Sequence, residues 1–221
     1  MIRFDNHAFK GLDEALTRLF ALLQSMGEAI GQLATLLPEG LEVADPQAFQ
    51  RAKEIDKTIN EAEQSADALV AEIINKYTVI GEDLRFTLGA IKVAGTLERV
   101  ADKLKNCIKR LGRVHHPMDA TLKTELRKAM RALQAMIPLA LTQLLDYQAE
   151  TTQQLLAHGA AVQESYRAVL LKVHGQGVPT DDVAHLLLVA KNIEQASDMA
   201  VEIMKISHMI HFATKYDKHA G

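Results

Sequence analysis

Residues 84–106 read LRFTLGAIKVAGTLERVADKLKN, and the rest of the chain is organised around this stretch. Its residue types recur with the period of an α-helix, and one stripe of that helix begins apolar and becomes acidic. The stripe consists of Leu84, Leu88, Ile91, Gly95, Glu98, Asp102 and Asn106. A second stripe, which runs from Leu97 to Leu111, already supplies an apolar core face. The carboxylates are therefore not needed to make the helix amphipathic, and they mark a candidate site.

The acidic pair of this helix occurs a second time in the chain. Glu98 and Asp102 are four residues apart, and the same spacing returns at Glu194 and Asp198. Two like charges at this spacing repel each other by a few tenths of a kcal/mol on an exposed helix, and by more where water is excluded. The repetition indicates that a cation or bound protons offset this repulsion.

Composition limits the classes of protein that the chain can belong to. The 221 residues are 48% hydrophobic and carry a net charge of −3, which is far from the basic excess of a nucleic-acid-binding protein. The single cysteine, Cys107, excludes a disulfide within the chain and favours a reducing compartment. The N-terminus lacks the apolar run of a secretory signal, and no segment is apolar for the length of a membrane span. We expect a cytoplasmic protein.

Apolar spacing and turn residues predict six long helices and no strands. The first runs from Ala8 to Leu37 and ends at Pro38-Glu39-Gly40, and Asp45-Pro46 opens the second. The second helix is predicted to end near Tyr77, and the third to run from about residue 81 to 112. The fourth is predicted from about 119 to 146, with a kink at Pro138. The fifth should end near residue 173, and the sixth should begin at Thr180 or Asp181 and end near 215. The expected fold is all-α, with two tandem three-helix bundles at residues 1–114 and 118–221.

The second helix carries its own polar stripe. Its members are Asp56, Asn60, Glu63 and Asp67. If the second and third helices form an antiparallel hairpin that turns near Val79, Asp56 lies level with Asp102, and Asn60 with Glu98. A similar estimate for the first hairpin brings Glu28 level with Asp56. Carboxylate and amide oxygens from neighbouring helices then meet at one height, which suits hard cations such as Mg²⁺, Mn²⁺ or iron.

Two other interpretations of these acidic stripes remain open. In the first, both stripes face water and pair with nearby basic residues, as helical charges usually do. Those basic residues are Lys53, Lys57, Arg99 and Lys105. In the second, the chain is an iron-dependent oxidase in a ferritin-like bundle, which requires glutamate and histidine three residues apart. No glutamate of the sequence has that partner, and His208 and His211 are interpreted as a solvated face near a helix end.

The motifs, in their order, resemble the PhoU family of phosphate-signalling regulators over nearly the entire chain. The family carries a Glu-x-x-x-Asp motif on the third helix of each of two tandem repeats. The matching stretches are Leu97–Asp102 with Asn106, Ala190–Asp198, Asp56–Asn60 with Glu63, Asp83–Arg85, and His185–Glu194.

This resemblance implies a function. Family members bind multinuclear iron, or zinc, manganese or magnesium, at the acidic motifs, and they are not known to be enzymes. They repress phosphate-starvation genes when phosphate is plentiful, through contacts with a membrane sensor histidine kinase and the ATPase subunit of a phosphate transporter, and they commonly form dimers. For this chain we therefore expect a metal-binding regulator with those two partners, a homodimer, no nucleic-acid partner, and membrane contact only through partner proteins.

The second repeat departs from the family pattern. Gly159 and Gln163 stand where acidic companion residues are usual, so the second metal site rests on Glu194, Asp198 and Glu202 from one helix. One helix offers too few directions to surround an ion. We therefore expect occupancy of the first site, formed by Asp56, Asn60, Glu63, Glu98, Asp102 and Asn106, in preference to the second. The main alternative function is that of an accessory protein of a low-affinity phosphate or anion transporter, without a role in transcription.

Overall fold

The computed structural model describes Ile2, residues 10–42, 47–175, 180–214 and Tyr216. Six α-helices account for most of these residues, and no strand occurs among them. The helices are α1 (Lys10–Glu42), α2 (Ala48–Lys76), α3 (Gly81–Leu111), α4 (Ala120–Leu145), α5 (Ala149–Gly175) and α6 (Thr180–Phe212). The prediction of an all-α chain of six long helices is confirmed. No helix in the described part of the chain is long and apolar enough to span a lipid bilayer.

The helices pack in two groups of three that share an interface. α1, α2 and α3 contact one another, as do α4, α5 and α6. The two groups meet where α3 packs along α6 and where α1 packs on α4. Because the α3–α6 contact is as extensive as the contacts within each group, the division into domains at residues 114 and 118 stays a prediction.

The apolar stripes predicted for α1 and α3 form the core. In α1 the four- and three-residue spacing places eight side chains inside, namely Leu12, Leu16, Leu19, Leu23, Met26, Ile30, Leu33 and Leu37. In α3 the stripe from Leu97 to Leu111 is likewise buried, together with Cys107. Burial raises the pKa of the Cys107 thiol to about 12, so this cysteine is a core residue without a thiolate at neutral pH.

One helix boundary differs from the prediction. α1 does not end at Pro38-Glu39-Gly40 but continues through Pro38 to Glu42. Proline removes one backbone hydrogen bond from a helix interior. Here Leu37 and Leu41 continue the apolar period and are both buried, which offsets that loss. The predicted capping residues of α2, Asp45 and Pro46, lie outside the described residues, as do residues 8 and 9, the turn at residues 176–179 and the terminal residues 217–221.

The predicted start of α4 is confirmed at atomic detail. Asp119 is the N-cap residue, and its carboxylate accepts hydrogen bonds from the backbone N–H of Thr121 at 2.7 Å and of Leu122 at 3.3 Å. α4 then continues through Pro138, as predicted.

A buried aspartate joins α6 to the segment that connects the two groups of helices. The side chain of Asp182, which is 2% exposed, accepts hydrogen bonds from the backbone N–H groups of His115 at 3.1 Å and His116 at 3.0 Å. The imidazole of His116 lies 2.8 Å from the same carboxylate. Burial alone would raise the pKa of Asp182, but these hydrogen bonds outweigh it and hold the pKa below its ordinary value.

Replacing Asp182 by asparagine should destabilise the protein at neutral pH. A lowered carboxyl pKa means that the stabilisation is complete above the ordinary aspartate pKa, and is lost as the pH falls through the lowered value. We expect Asp182→Asn to lower the free energy of unfolding by about 1–3 kcal/mol at neutral pH, with a difference that narrows in acid. Chemical denaturation at several pH values measures this. Asp181→Asn, at the exposed neighbouring position, should have little effect; equal effects of the two changes would contradict the role of Asp182.

Candidate metal centre

Two carboxylates from neighbouring helices converge on one lysine. Lys105 Nζ on α3 lies 2.7 Å from Asp56 Oδ2 on α2 and 3.0 Å from Asp102 Oδ1, one helical turn earlier on α3. This agrees with the antiparallel alignment that placed Asp56 level with Asp102. Burial alone would lower the pKa of Lys105, but the hydrogen bonds to Asp56 and Asp102 raise it above its ordinary value. Lys105 is therefore an ammonium ion at neutral pH.

Asp56 also has an oxygen that is not used. The residue is 8% exposed, and its Oδ1 atom is buried without a hydrogen-bond partner among the described residues. A buried acceptor without a partner costs roughly 1–3 kcal/mol, so such atoms in folded proteins usually face a water molecule, an ion or a ligand. Oδ1 of Asp56 is thus available to a cation.

Two glutamates extend this group of charges. Burial raises the pKa of Glu98, and the negative charges of Glu63, Asp102 and Asp56 raise it further, while Lys105 lowers it. Glu63 reaches from α2 to α3, since its Oε1 atom lies 3.4 Å from the position of a β-carbon built on Gly95. We call Asp56, Glu63, Glu98 and Asp102 the first acidic cluster. Lys105 contacts two of these four carboxylates, Asp56 and Asp102, and the cluster carries more negative than positive charge.

The predicted amide ligands lie beside this cluster. Asn106 donates a hydrogen bond from Nδ2 to Asp102 Oδ2 at 3.0 Å, and Asn60 is half-buried one turn after Asp56 on α2. Two further acids of the predicted set, Glu28 near Asp56 and Asp67 on the same stripe of α2, are exposed. Glu28 lines a groove between α1 and α4.

The three predicted ligands of the second repeat differ in their partners. Glu194 pairs with Lys191 at 2.6 Å, and Glu202 pairs with Arg99 of α3 at 3.2 Å. Asp198 is exposed, and partial burial and the charge of Glu194 raise its pKa. It lines an open pocket together with Gly159, Gln163, Lys205 and Tyr216.

The first cluster has the chemistry of a cation site, but not yet its arrangement. Its donors are carboxylate oxygens with amides nearby, the ligands that hard cations prefer. Within the described ranges, no three His, Cys, Asp or Glu side chains already surround a common metal position. In the first cluster, the position between Asp56 and Asp102 holds the ammonium group of Lys105.

Sequence reasoning missed two features of these sites. The sequence offers Lys105 only as one of several basic partners at the surface, although it lies three residues after Asp102, a spacing at which helical side chains meet. Among the histidines, His211 is not on a solvated face as predicted. Its side chain is 9% exposed, with Nε2 3.2 Å from the Gln143 carbonyl oxygen and Nδ1 3.5 Å from Glu82 Oε1. A histidine near the end of a helix gives no sequence signal for partners as distant in the chain as Gln143 and Glu82.

Comparison with known proteins agrees with this architecture. The model of the PhoU domain matches residues 23–111. The chain is 27% identical over 218 residues to a phosphate-specific transport system accessory protein PhoU homologue of Zymomonas mobilis, covering 94% of this chain and 88% of the relative. It is 28% identical to the protein of the same description from Rhizobium meliloti, covering 89% of this chain and 85% of the relative.

Solved structures show the same fold. The crystal structure of PhoU from Pseudomonas aeruginosa superposes with a TM-score of 0.82 at 20% identity, covering 91% of this chain and 99% of that one. The phosphate transport system regulatory protein PhoU from Streptococcus pneumoniae gives a TM-score of 0.83 at 17% identity, covering 93% and 99%. The domain match, the two relatives and the shared helical architecture agree: residues 23–111 match the PhoU domain, and the chain is similar to PhoU proteins over most of its length.

Proposed function

We propose that this chain is a metal-binding accessory protein of a phosphate transport system, and that it regulates phosphate uptake without catalysing a reaction. The relatives from Zymomonas mobilis and Rhizobium meliloti carry the description of phosphate-specific transport system accessory proteins. One observation supports the metal-binding part of the proposal. Asp56 and Asp102 converge on the ammonium group of Lys105, and the Oδ1 atom of Asp56 beside it is buried and without a partner among the described residues.

The residues that would hold a metal belong to α2 and α3. They are the carboxylates of the first acidic cluster, with Asn60 and Asn106 as amide candidates. Their oxygen chemistry favours iron, manganese or magnesium over a structural zinc. When bound, the metal supplies positive charge that neutralises the carboxylates and links the two helices. The carboxylates would fix the position of the metal's positive charge along the α2–α3 hairpin.

The two repeats would differ in metal binding. Glu194 already pairs with Lys191 of the same helix and Glu202 with Arg99 of α3, and Asp198 is exposed. In the first cluster, by contrast, Asp56 and Asp102 share one lysine, and the charges of Glu63 and Glu98 add to theirs. We therefore place the resident metal in the first repeat, with the second repeat weakly occupied or empty.

Regulation would proceed through partner proteins in the cytoplasm. An accessory protein of a transporter acts by contact, and by family resemblance the partners are the transporter ATPase subunit and a sensor histidine kinase. A homodimer follows from the same resemblance. Metal held between α2 and α3 would keep the bundle rigid, and its outer helix faces would then engage the partner.

Deletion of the gene tests the regulatory role. Because the protein is proposed to repress the phosphate-starvation response, a strain without it should express starvation-induced genes even when phosphate is plentiful. A transcriptional reporter measures this, and a plasmid-borne copy of the wild-type chain should restore repression. Normal repression in the deletion strain would contradict the regulatory proposal and leave only an accessory role in transport.

Metal analysis tests the position of the site. We expect protein purified without chelator to contain metal, Asp102→Ala to lose most of it, and Asp198→Ala to retain it. Saturating Mn²⁺, at one hundred times its dissociation constant, should stabilise the wild type by about 2.7 kcal/mol. Asp102→Ala should lose most of this gain. Equal metal loss from the two variants would rule out the proposed asymmetry.

Neutralising Glu98 should stabilise the metal-free protein. A raised carboxyl pKa means that ionisation of Glu98 weakens the fold, a penalty that is complete above the raised value and disappears as the pH falls. Without metal, Glu98→Gln should raise the free energy of unfolding at neutral pH by a few tenths of a kcal/mol, and the gain should shrink in acid. With saturating Mn²⁺ the order should reverse, because the variant lacks a ligand.

The control for this measurement is Glu61→Gln. Glu61 is exposed on α2 and pairs with Lys57 at 3.7 Å, so its replacement relieves no repulsion. Thermal unfolding with and without Mn²⁺ reports both variants. A metal-free Glu98→Gln protein that is less stable than the wild type would contradict the assignment of Glu98 to the first acidic cluster.

A further inference from the structure

Lys105 occupies the position between two candidate metal ligands. Its Nζ atom lies 2.7 Å from Asp56 Oδ2 and 3.0 Å from Asp102 Oδ1, and its side chain is 21% exposed. Both distances are those of charge-assisted hydrogen bonds. One ammonium group thereby connects α2 to α3 with the same two residues that would hold a metal.

The lysine can leave this position without unfolding the helices. Its ammonium group is a compact charge on a flexible four-carbon stem, and the partial exposure of the side chain gives it a path to solvent. Its neighbours on α3, Leu104 and Cys107, are buried and keep the helix in place. Movement of Lys105 therefore requires rotation of one side chain only.

The same oxygens cannot serve both cations. Carboxylate oxygens bind Mg²⁺ or Ca²⁺ at roughly 2.0–2.6 Å, which is closer than they approach an ammonium group. A divalent ion and an ammonium group between one pair of carboxylates would also repel each other at short range. Lys105 must therefore release Asp56 Oδ2 and Asp102 Oδ1 before these two oxygens can bind a metal.

We infer that Lys105 is a tethered competitor of the metal: it keeps the first acidic cluster neutralised and packed in the metal-free protein, and raises the metal concentration needed for binding. This inference rests on the proposed metal-binding function. It adds a residue that determines affinity and that is not itself a ligand. The metal-free and metal-bound states then differ in the position of one lysine.

Mn²⁺ titration of Lys105→Met tests the inference. Because the methionine has no charge, Asp56 and Asp102 are available to metal at all times, and we expect Mn²⁺ to bind at least about tenfold more tightly than to the wild type. Isothermal titration calorimetry measures both affinities. Lys103→Met is the matched control, since it removes the same charge two residues away on α3, and its affinity should stay near that of the wild type.

Thermal unfolding supplies a second readout that does not depend on affinity. Without metal, Lys105→Met should unfold at a lower temperature than the wild type, because the buried carboxylate of Asp56 loses its partner. Mn²⁺ should restore the lost stability. If Lys105→Met does not fold, Lys105→Gln, which is neutral but polar, takes its place in both measurements.

Each result separates this inference from the proposed function. Equal Mn²⁺ affinities of the wild type and Lys105→Met would overturn the inference and leave the metal proposal intact. Binding to Lys105→Met alone would support the inference and contradict a resident metal in the wild type. No binding to either protein would overturn both. If Lys103→Met binds Mn²⁺ as tightly as Lys105→Met does, and both bind it more tightly than the wild type, the effect is one of general charge and the inference is overturned.

Discussion

Where the α2–α3 hairpin carries the first acidic cluster, its packing depends on one positive charge that two carboxylates share. Asp56 is buried on α2, Asp102 lies on α3, and both contact Lys105. Without a cation between them, the buried carboxylate of Asp56 would face the negative charges of Asp102 and Glu98. Buried charge is costly unless it is paired, so some cation has to be present in the folded state. The chain supplies one itself.

The interface of α3 with α6 places both acidic sets on the central helix pair. α3 carries Glu98 and Asp102, and α6 carries Glu194 and Asp198, in helices that pack along each other. Gly89 allows close approach, since a β-carbon built there would lie 2.7 Å from Ile210 Cδ1. Binding of a cation to the first acidic cluster would therefore change the charge beside α3, the helix that contacts both three-helix groups.

Periodicity was sufficient to predict the helices but not the pairing of their charges. The eight apolar residues of α1 and the acidic stripe of α3 follow from spacing alone, and the hairpin arithmetic brought Asp56 level with Asp102. The predicted end of α1 at Pro38 was wrong, because local turn residues carry no information about the burial of Leu41. The bonds of Asp182 to the segment before α4, and of Arg99 to Glu202, join residues far apart in sequence, which no helical period encodes.

The most direct test is an anomalous difference map of wild-type crystals grown with Mn²⁺. We expect a manganese peak within bonding distance of Asp56 and Asp102 oxygens, together with a Lys105 side chain that has turned away from them. A map without a peak at this position, and with Lys105 Nζ still between the two carboxylates, would show that these residues do not form a metal site.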